Sequence, residues 1–493
     1  MFDPSAEHPI RIGCQWSDGA GITRPEEGRA DLSGPLRPGS SETVVVPTMI
    51  PPRAGDYTLS VGVVEEGHQW LLRAPEIHFA AVDQPRVTFV GGYSPFRHLG
   101  DDIITRALIE DLIGEFPEVD ITLLADDPGA IARRFDVSAA PTAAAIHHAN
   151  IDRGNGGTAS VRHARALARR HIAGERIEDG AVADLVEVMR RSDVLVLAAA
   201  GSLAGAYADW VLWPRLIEAE VAALCGVPVV ITSAGIGPFT HREHSLGARR
   251  LVHLAEEIHV RDPLSVASLS DLGVARPVTV SPDAASWFKG AEEGEFGEFL
   301  SGHGIGGRRP YVVASVRAGD QASTVREVAA CAEVAARALG AAIVLVPHCA
   351  TSPHDDRPAL EILAGLLARD LDVVTLSDIP PDPIAADLVR TASVSIGTRF
   401  HNAVLSASVG SPAILFFESE YDERRARGLA AMSGVTVSVA DAAVGVRKAD
   451  VLEVLREPAE PPTYPDAPAL VAAVRRLGIV RQTAPSNGVL IPR

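Results

Sequence analysis

Cysteine is scarce in this chain of 493 residues, which contains only four. Cys14, Cys225, Cys331 and Cys349 lie far apart, and no two of them form a C-x-x-C pair. This spacing argues against a compact zinc site and against a disulfide framework. We therefore expect reduced, mostly buried thiols and no metal site.

Positive charge is also in short supply, since 45 Lys and Arg stand against 63 Asp and Glu, for a net charge of −18. This balance disfavours binding to nucleic acid or to an anionic membrane through bulk electrostatics. An anionic ligand must then be captured by a local basic cluster. No apolar run is long enough to span a bilayer, and the N-terminus lacks the pattern of a signal peptide. We expect a cytoplasmic protein; peripheral membrane association and the oligomeric state stay open.

The pattern of strands and turns divides the chain into segments. Residues 1–82 contain short alternating strands separated by Gly, Pro and Asp, which predict a small accessory β-sandwich. From residue 83 the rhythm becomes strand, turn, helix, which predicts an α/β architecture with two doubly wound parallel sheets. We expect these lobes at 83–288 and 310–480, a Gly- and Glu-rich linker at 289–309, and a loose tail at 481–493.

Each lobe is expected to contain six strands. The predicted strands are 86–90, 119–124, 194–198, 227–232, 258–260 and 278–280 in the first lobe, and 312–315, 342–346, 373–376, 394–396, 413–417 and 435–439 in the second. Several aromatic side chains are interpreted as packing residues rather than ligands. They are Trp16 and Trp70 in the sandwich, and His147, His148, Trp210 and Trp213 in the first lobe.

The most informative segment is residues 394–402, where a short apolar strand leads through Gly397 and Thr398 into a helix. Thr398 is a plausible N-cap, which places Arg399 and His401 in the opening turn. Unpaired backbone N–H groups and the helix dipole favour an anion there. The segment therefore predicts a phosphate or carboxylate site. The helix dipole should lower the pKa of His401 in the empty site, and a bound dianion should raise it again.

Three further segments occur in order before this one, at 91–103, 198–203 and 229–238, the last followed by 258–262. In this order and spacing they resemble the polysaccharide pyruvyl transferase family over about residues 86–480. The resemblance implies two Rossmann-like lobes in a GT-B-like arrangement. It also implies transfer of an enolpyruvyl group from phosphoenolpyruvate to a glycan or a lipid-linked saccharide, as a ketal, with no cofactor beyond that donor.

The resemblance assigns roles to particular residues. His401 would donate a proton, and Asp101 would accept one or anchor a sugar hydroxyl. Arg261 and Arg399 would hold the carboxylate and phosphate of the donor. The remaining predicted substrate-binding residues are Gly201, Ser202, His348 and Asn402.

Bland interpretations stand beside these roles. Asp101 can be a helix N-cap, Arg261 can form a local pair with Asp262, and Arg399 can pair with a surface carboxylate. The loop 347–356, which contains His348, is expected to line the cleft and contact acceptor. Arg424 and Arg425 are interpreted as part of a solvated helix start, although either could also serve the site.

Two other functions stay open at this point. One is a GT-B glycosyltransferase that uses a nucleotide sugar, with Glu418 or Glu420 on the ribose. The other is a carbohydrate-binding protein without activity. The joint presence of Asp101, Arg261, Arg399 and His401 favours the pyruvyl transferase.

Overall fold

We analysed a computed structural model of the chain. It describes residues 10–18, 28–31, 46, 55–65, 69–73, 77–81, 84–91, 97–198, 203–305, 310–433, 437–456, 469–478 and 480–482. The chain forms two compact units. The first comprises Met1–Pro85, Phe116–Val119 and Ala473–Arg493, and the second comprises Arg86–Glu115 and Asp120–Ala472. The return of the C-terminal segment to the first unit was not predicted.

The first unit is built on an antiparallel sheet. Its strands are β1 (Ile10–Asp18), β2 (Gly28–Ala30), β3 (Gly55–Glu65), β4 (Gln69–Arg73), β5 (Ile77–Ala81) and a late strand, Val480–Gln482. The order is late strand, β5, β3, β1, β2, and β4 also pairs with β3. Trp16 and Tyr57 are buried edge to face, with ring centroids 6.4 Å apart, which confirms Trp16 as a packing residue.

One prediction for the first unit is wrong, and two others concern residues or side chains that the structure does not describe. The late strand pairs with β5 in antiparallel register, so the predicted loose tail is wrong for Arg481 and Gln482. The strand predicted near residues 41–47 lies outside the described residues apart from Val46, and the side chain of Trp70 is likewise not described.

The first lobe of the second unit contains a seven-stranded parallel sheet of order β12-β11-β10-β9-β6-β7-β8. Its elements are β6 (Arg86–Val90), α1 (Leu99–Glu115), β7 (Asp120–Ala125), α2 (Pro128–Phe135), β8 (Ser138–Pro141), α3 (Ala144–Asp152), α4 (Gly157–Ile172), α5 (Gly180–Arg191), β9 (Val194–Ala198), a 3₁₀ turn (Gly205–Tyr207), a π-helical turn (Ala208–Leu212), α6 (Trp213–Leu224), β10 (Val229–Ala234), α7 (Arg242–Leu254), β11 (Ala255–Val260), α8 (Pro263–Asp271), β12 (Thr279–Val280) and a second 3₁₀ turn (Ala284–Trp287).

The second lobe contains a six-stranded parallel sheet of order β15-β14-β13-β16-β17-β18. Its elements are α9 (Glu293–Gly302), β13 (Tyr311–Ser315), α10 (Ala322–Leu339), β14 (Ala342–Leu345), α11 (Arg357–Leu366), β15 (Val373–Thr375), α12 (Asp382–Arg390), β16 (Val394–Gly397), α13 (Phe400–Ser408), β17 (Ala413–Phe417), α14 (Glu420–Ser433), β18 (Val437–Asp441) and α15 (Lys448–Val454). Helix α16 (Ala469–Gly478) begins in the second unit, and its residues from Ala473 onward belong to the first. The segment predicted as a linker thus contains helix α9.

All twelve predicted strands of the two lobes are present, with ends that differ by at most a few residues. One strand, β8, was missed because its sequence Ser-Ala-Ala-Pro carries no apolar run. Trp213 is buried as predicted, and three of the four free cysteines are buried. Trp210 was predicted to be a packing residue, but it is 67% exposed. That prediction is wrong.

Ionic contacts join the two lobes of the second unit. Asp382, in the first turn of α12, accepts hydrogen bonds from Arg97 at 2.5 Å and from Arg106 at 3.1 Å. Arg97 also donates to the carbonyl of Ile379 at 2.8 Å. Both arginines come from the first lobe, so these bonds hold α1 against the start of α12. Within the described part of the chain, we find no helix with the length and apolarity that a membrane crossing requires.

Gly397 permits a close approach of strands in the second lobe. It pairs with Ser315 across β16 and β13, has φ of 151°, and leaves no room for a Cβ, which would overlap the carbonyl oxygen of Ser315. Strain of this kind costs about 1–3 kcal/mol before any steric overlap. The turn between β16 and α13 therefore requires glycine.

We expect Gly397→Ala to lower the apparent Tm by several degrees, measured by differential scanning fluorimetry. The matched control is Gly365→Ala in α11, where a Cβ meets no atom within 4 Å. That change should leave the Tm unchanged or raise it slightly, because alanine favours helix by up to about 1 kcal/mol. Equal Tm values for the two variants would contradict this account.

Candidate active site

The turn after β16 delivers His401 to the cleft between the two lobes. Helix α13 begins at Phe400, and Arg399, not Thr398, is the residue that precedes it. The prediction of a Thr398 cap is wrong because the Thr398 hydroxyl instead donates to Asp320 at 2.6 Å. His401 still lies in the first turn of α13, at the carboxyl edge of the sheet where parallel α/β folds bind ligands.

The imidazole of His401 lies directly over Gly100, the second residue of α1 in the other lobe. A Cβ on Gly100 would overlap the ring. His401 Nε2 is 3.8 Å from Asp283 Oδ2 and has no hydrogen-bond partner among the described residues. His401 is only 6% exposed. The two lobes therefore enclose a histidine that retains an unused hydrogen-bonding nitrogen.

Burial lowers the pKa of His401 to about 4, although the carboxylates of Asp283 and Asp101 act in the opposite direction. The predicted direction is thus correct, but desolvation and not the helix dipole is the main cause. At neutral pH the imidazole of the empty site is uncharged. An anion beside it would favour the charged form and raise the pKa.

Arg261 follows β11 and is 4% exposed. Its Nη1 donates to Asp283 Oδ2 at 2.7 Å, so the predicted local pair with Asp262 is wrong. Asp262 instead caps α8 by accepting from the backbone N–H of Ser265 at 2.7 Å. The Nε and Nη2 atoms of Arg261 are buried without a hydrogen-bond partner among the described residues. Buried donors of this kind are costly to leave unpaired, which indicates a site for an acceptor-rich ligand.

Asp101 lies in the first turn of α1, two residues inside the helix, so it is not the N-cap residue. Its Oδ2 is 2.9 Å from His98 Nδ1. Burial would raise the pKa of Asp101, but His98, His401 and Arg261 together outweigh it and the pKa is lowered. Asp101 is therefore an ionised carboxylate within electrostatic reach of His401 and Arg261.

Arg399 is committed to a buried carboxylate. Its Nε donates to Asp356 Oδ2 at 3.0 Å, and its Nη2 donates to Asp356 Oδ1. Its Nη1 lies 3.2 Å from His98 Nε2. Because arginine can only donate, His98 Nε2 is the acceptor in this contact, while His98 Nδ1 faces Asp101. Arg399 thus positions His98, and through it Asp101; the predicted surface pair is wrong because Asp356 is fully buried.

The loop 347–356, after β14, was expected to line the cleft and contact the acceptor. The side chain of His348 in this loop instead makes a hydrogen bond within the second lobe. His348 is 1% exposed, and its Nε2 lies 2.7 Å from Asn402 Oδ1. Asn402 Nδ2 donates to the Ser315 hydroxyl at 2.8 Å. His348 and Asn402 therefore support α13 from behind. The other two predicted substrate-binding residues, Gly201 and Ser202, lie outside the described residues.

A second guanidinium lies near Arg261. Arg261 Cζ lies 4.4 Å, and Arg425 Cζ 5.1 Å, from the centroid of the Phe400 ring. Arg425 also stacks on Tyr421 at 4.4 Å and donates to Asp422 at 2.7 Å. The interpretation of this segment as a solvated helix start is wrong for Arg425, whose side chain is only 18% exposed. Positive charge is therefore concentrated around Phe400.

A profile described as polysaccharide pyruvyl transferase matches residues 98–418. This match covers well over half of the chain, including Asp101, Arg261 and His401. The chain belongs to the polysaccharide pyruvyl transferase family. It is therefore an enzyme of that type, and the family predicted from the sequence motifs is confirmed.

Solved structures share the fold of this pyruvyl transferase at low sequence identity. A UDP-GlcNAc 2-epimerase from Methanocaldococcus jannaschii is 12% identical, with a TM-score of 0.50 over 79% of this chain and 98% of that one. The E. coli ADP-heptose LPS heptosyltransferase II is 14% identical, with a TM-score of 0.39 over 75% of this chain and 97% of that one. The similarity to the epimerase concerns the fold alone, and the GT-B-like pair of lobes is confirmed. No sequence among the curated proteins matches the chain.

Sequence reasoning did not single out Asp283 or His98 of the pyruvyl transferase site, and it treated Asp356 only as part of the loop 347–356. Asp283 bonds Arg261, His98 contacts Asp101, and Asp356 holds Arg399. A signal for Asp283 existed, because Ser-Pro-Asp follows the predicted strand 278–280 at the ligand edge of the sheet. His98 lies within segment 91–103, one of the segments that carry the family resemblance. No local pattern marks Asp356 as the partner of a residue 43 positions away.

We expect His401 to stay neutral in the ligand-free pyruvyl transferase as the pH falls through 6.5, and to protonate with a pKa of about 4. Protein with ¹⁵N-labelled histidine can be titrated by NMR, and the His401→Gln variant identifies the signal. Protonation of His401 near pH 6.5, the ordinary value for histidine, would contradict the desolvation described above.

Proposed function

We propose that this enzyme transfers a pyruvyl group from phosphoenolpyruvate to two hydroxyls of a saccharide, forming a ketal. The acceptor is a bacterial surface polysaccharide or its lipid-linked precursor, and the reaction takes place in the cytoplasm, where phosphoenolpyruvate is made. The observation that carries the choice of donor is the pair of unbonded, buried nitrogens on Arg261 beside neutral His401. A small, highly charged anion satisfies both.

The reaction has a defined atom balance. A proton adds to the methylene carbon of the enol ester, which leaves an oxocarbenium-like centre at C2. One sugar hydroxyl forms a C–O bond there and loses its proton. The second hydroxyl then displaces phosphate and closes the ring, again with loss of a proton. The products are the ketal and inorganic phosphate, and the oxidation states of the donor and acceptor need no external electron source.

The site offers side chains for donor binding, for protonation of the methylene carbon and for the first sugar hydroxyl. Arg261 binds the carboxylate or phosphate of the donor, and Asp283 orients Arg261. The charge of the donor raises the pKa of His401, which can then deliver its proton to the methylene carbon. Asp101, ionised and held by His98, accepts the proton of the attacking hydroxyl. Arg425, which also lies over the ring of Phe400, adds positive potential.

A nucleotide-sugar glycosyltransferase is supported less well. That interpretation placed Glu418 on a ribose, but Glu418 accepts hydrogen bonds from the backbone N–H of Gln321 at 2.9 Å and from the Thr324 hydroxyl. Glu418 is thereby committed to the start of α10. Glu420, the other candidate, is exposed in the first turn of α14.

We expect phosphoenolpyruvate, and not UDP-GlcNAc, to bind the enzyme in calorimetric titrations. Arg261→Gln should weaken phosphoenolpyruvate binding at least about tenfold, because a charged hydrogen bond contributes about 1.5–3 kcal/mol. The control is Arg249→Gln, which removes the same charge from an exposed position on α7 of the same lobe. Binding of UDP-GlcNAc without phosphoenolpyruvate would reject the proposed donor.

We expect His401→Gln and Gly100→Ala to lower kcat about 10²–10⁴-fold, the range typical of general acid catalysis. Glutamine cannot deliver a proton at neutral pH, and a methyl group on Gly100 would displace the His401 ring. Activity is measured as phosphate release from phosphoenolpyruvate in the presence of a cell-wall glycan fraction.

The matched control for the second variant is Gly114→Ala, in the same helix α1, where a Cβ meets no atom within 4 Å. It should retain full activity. If His401→Gln is folded by circular dichroism and fully active, His401 is not the acid. If Gly100→Ala alone is fully active, the contact between Gly100 and the His401 ring does not matter for turnover.

A further inference from the structure

Trp210 is an unusual side chain for its position. It lies in the π-helical turn Ala208–Leu212, which follows β9 and precedes α6. Single π turns within helices are frequent at functional sites. Trp210 is 67% exposed, whereas Trp213, one turn later, is 2% exposed. The π turn therefore directs one tryptophan into the core and leaves the other largely in solvent.

The exposed ring is supported by its neighbours and is not isolated. The ring of His148 on α3 packs edge-on against Trp210, with centroids 4.9 Å apart and an interplanar angle of 74°. Behind it, His147 is fully buried and its Nε2 lies 3.6 Å from Asp209 Oδ1. The Asp209 side chain is itself 65% exposed. The Trp210 ring is therefore supported by His148, and the adjacent residue, Asp209, has an accessible carboxylate.

A second carboxylate, that of Asp126, lies in the same lobe after another strand of the sheet. Asp126 is the first residue after β7, at the ligand edge of the sheet. Burial raises the pKa of Asp126, while Arg215 and His148 act to lower it and Glu218 acts with burial. His148 is therefore within electrostatic reach of Asp126 as well as in contact with Trp210. The surroundings of the ring are polar and carry carboxylates.

A series of stacked side chains connects this place to the active site. Tyr207 ends the 3₁₀ turn Gly205–Tyr207, and the π turn that carries Trp210 begins at the next residue. The Tyr207 ring lies 5.2 Å from that of Tyr421, on which Arg425 stacks. Arg425 in turn lies over Phe400, beside His401. The segment that carries Trp210 therefore follows β9 at the ligand edge of the first lobe's sheet and reaches the active site through Tyr207.

We propose that Trp210, His148 and Asp209 form a pyranose-binding subsite that holds the acceptor saccharide. A tryptophan face packs well against the C–H face of a sugar ring, and an adjacent carboxylate accepts hydrogen bonds from sugar hydroxyls. The carboxylates disfavour a phosphorylated ligand, which separates this place from the arginine-lined donor site. A single aromatic ring bordered by charges is also unlike the contiguous apolar patch typical of a protein interface.

This subsite, as the place of the acceptor, rests on the proposed function. Its chemistry can be tested separately by saturation-transfer difference NMR. The probes are the methyl glycosides of glucose, galactose, mannose and N-acetylmannosamine at millimolar concentration, and the proteins are the full chain, Trp210→Ala, Trp210→Phe and Val444→Ala. Val444 is the control, an exposed apolar residue of the second lobe that is 82% accessible.

We expect at least one glycoside to bind the unmodified chain and the Val444→Ala variant. Trp210→Ala should weaken that binding at least about fivefold, as loss of an aromatic anchor does, and Trp210→Phe should restore most of it. Trp210→Ala should keep its affinity for phosphoenolpyruvate.

Two results would overturn the subsite: no glycoside of the panel binds the unmodified chain, or Trp210→Ala binds as well as the control. If glycosides need Trp210 but phosphoenolpyruvate does not bind at all, the subsite stands and the proposed donor falls.

Discussion

The buried ion pair between Asp356 and Arg399 organises the second lobe at its ligand edge. Asp356 also accepts hydrogen bonds from the backbone N–H groups of Ala318, His348 and Cys349 at 2.9–3.1 Å. These groups follow β13 and β14, and Arg399 follows β16, so one carboxylate joins the loops of three neighbouring strands. Removing one partner of a buried pair costs about 3–5 kcal/mol because the other charge is left uncompensated. The position of His401, two residues after Arg399, depends on this arrangement.

Arg261 and Arg399 were predicted from the sequence to have the same role, but their environments differ. All three Arg399 nitrogens have partners, in Asp356 and His98, whereas two of the three Arg261 nitrogens have none among the described residues. A guanidinium already satisfied by a carboxylate gains little from an anionic ligand, whereas one with buried, unused donors gains a great deal. Arg261 consequently retains donors that a ligand could use, whereas Arg399 positions Asp356 and His98.

The sequence predicted the fold well because central parallel strands are buried on both faces and appear as apolar runs, as in Val194–Ala198 and Tyr311–Ser315. It also named His401, Asp101 and Arg261, since each directly follows a predicted strand or begins a predicted helix. The sequence could not predict which side chains these residues contact. Whether Arg261 meets Asp262 or Asp283, and whether Trp210 or Trp213 is buried, depends on side-chain directions that a one-dimensional pattern does not contain.

The contact between the His401 ring and Gly100 limits how this enzyme can vary. His401 belongs to one lobe and Gly100 to the other, and the space that the ring occupies exists only because Gly100 has no side chain. The bonds from Arg97 and Arg106 to Asp382 impose a similar match between the lobes. A hybrid that takes one lobe from a relative must therefore preserve both sets of partners. The lobes look like interchangeable modules, but for evolution and for protein engineering they behave as a single inherited block.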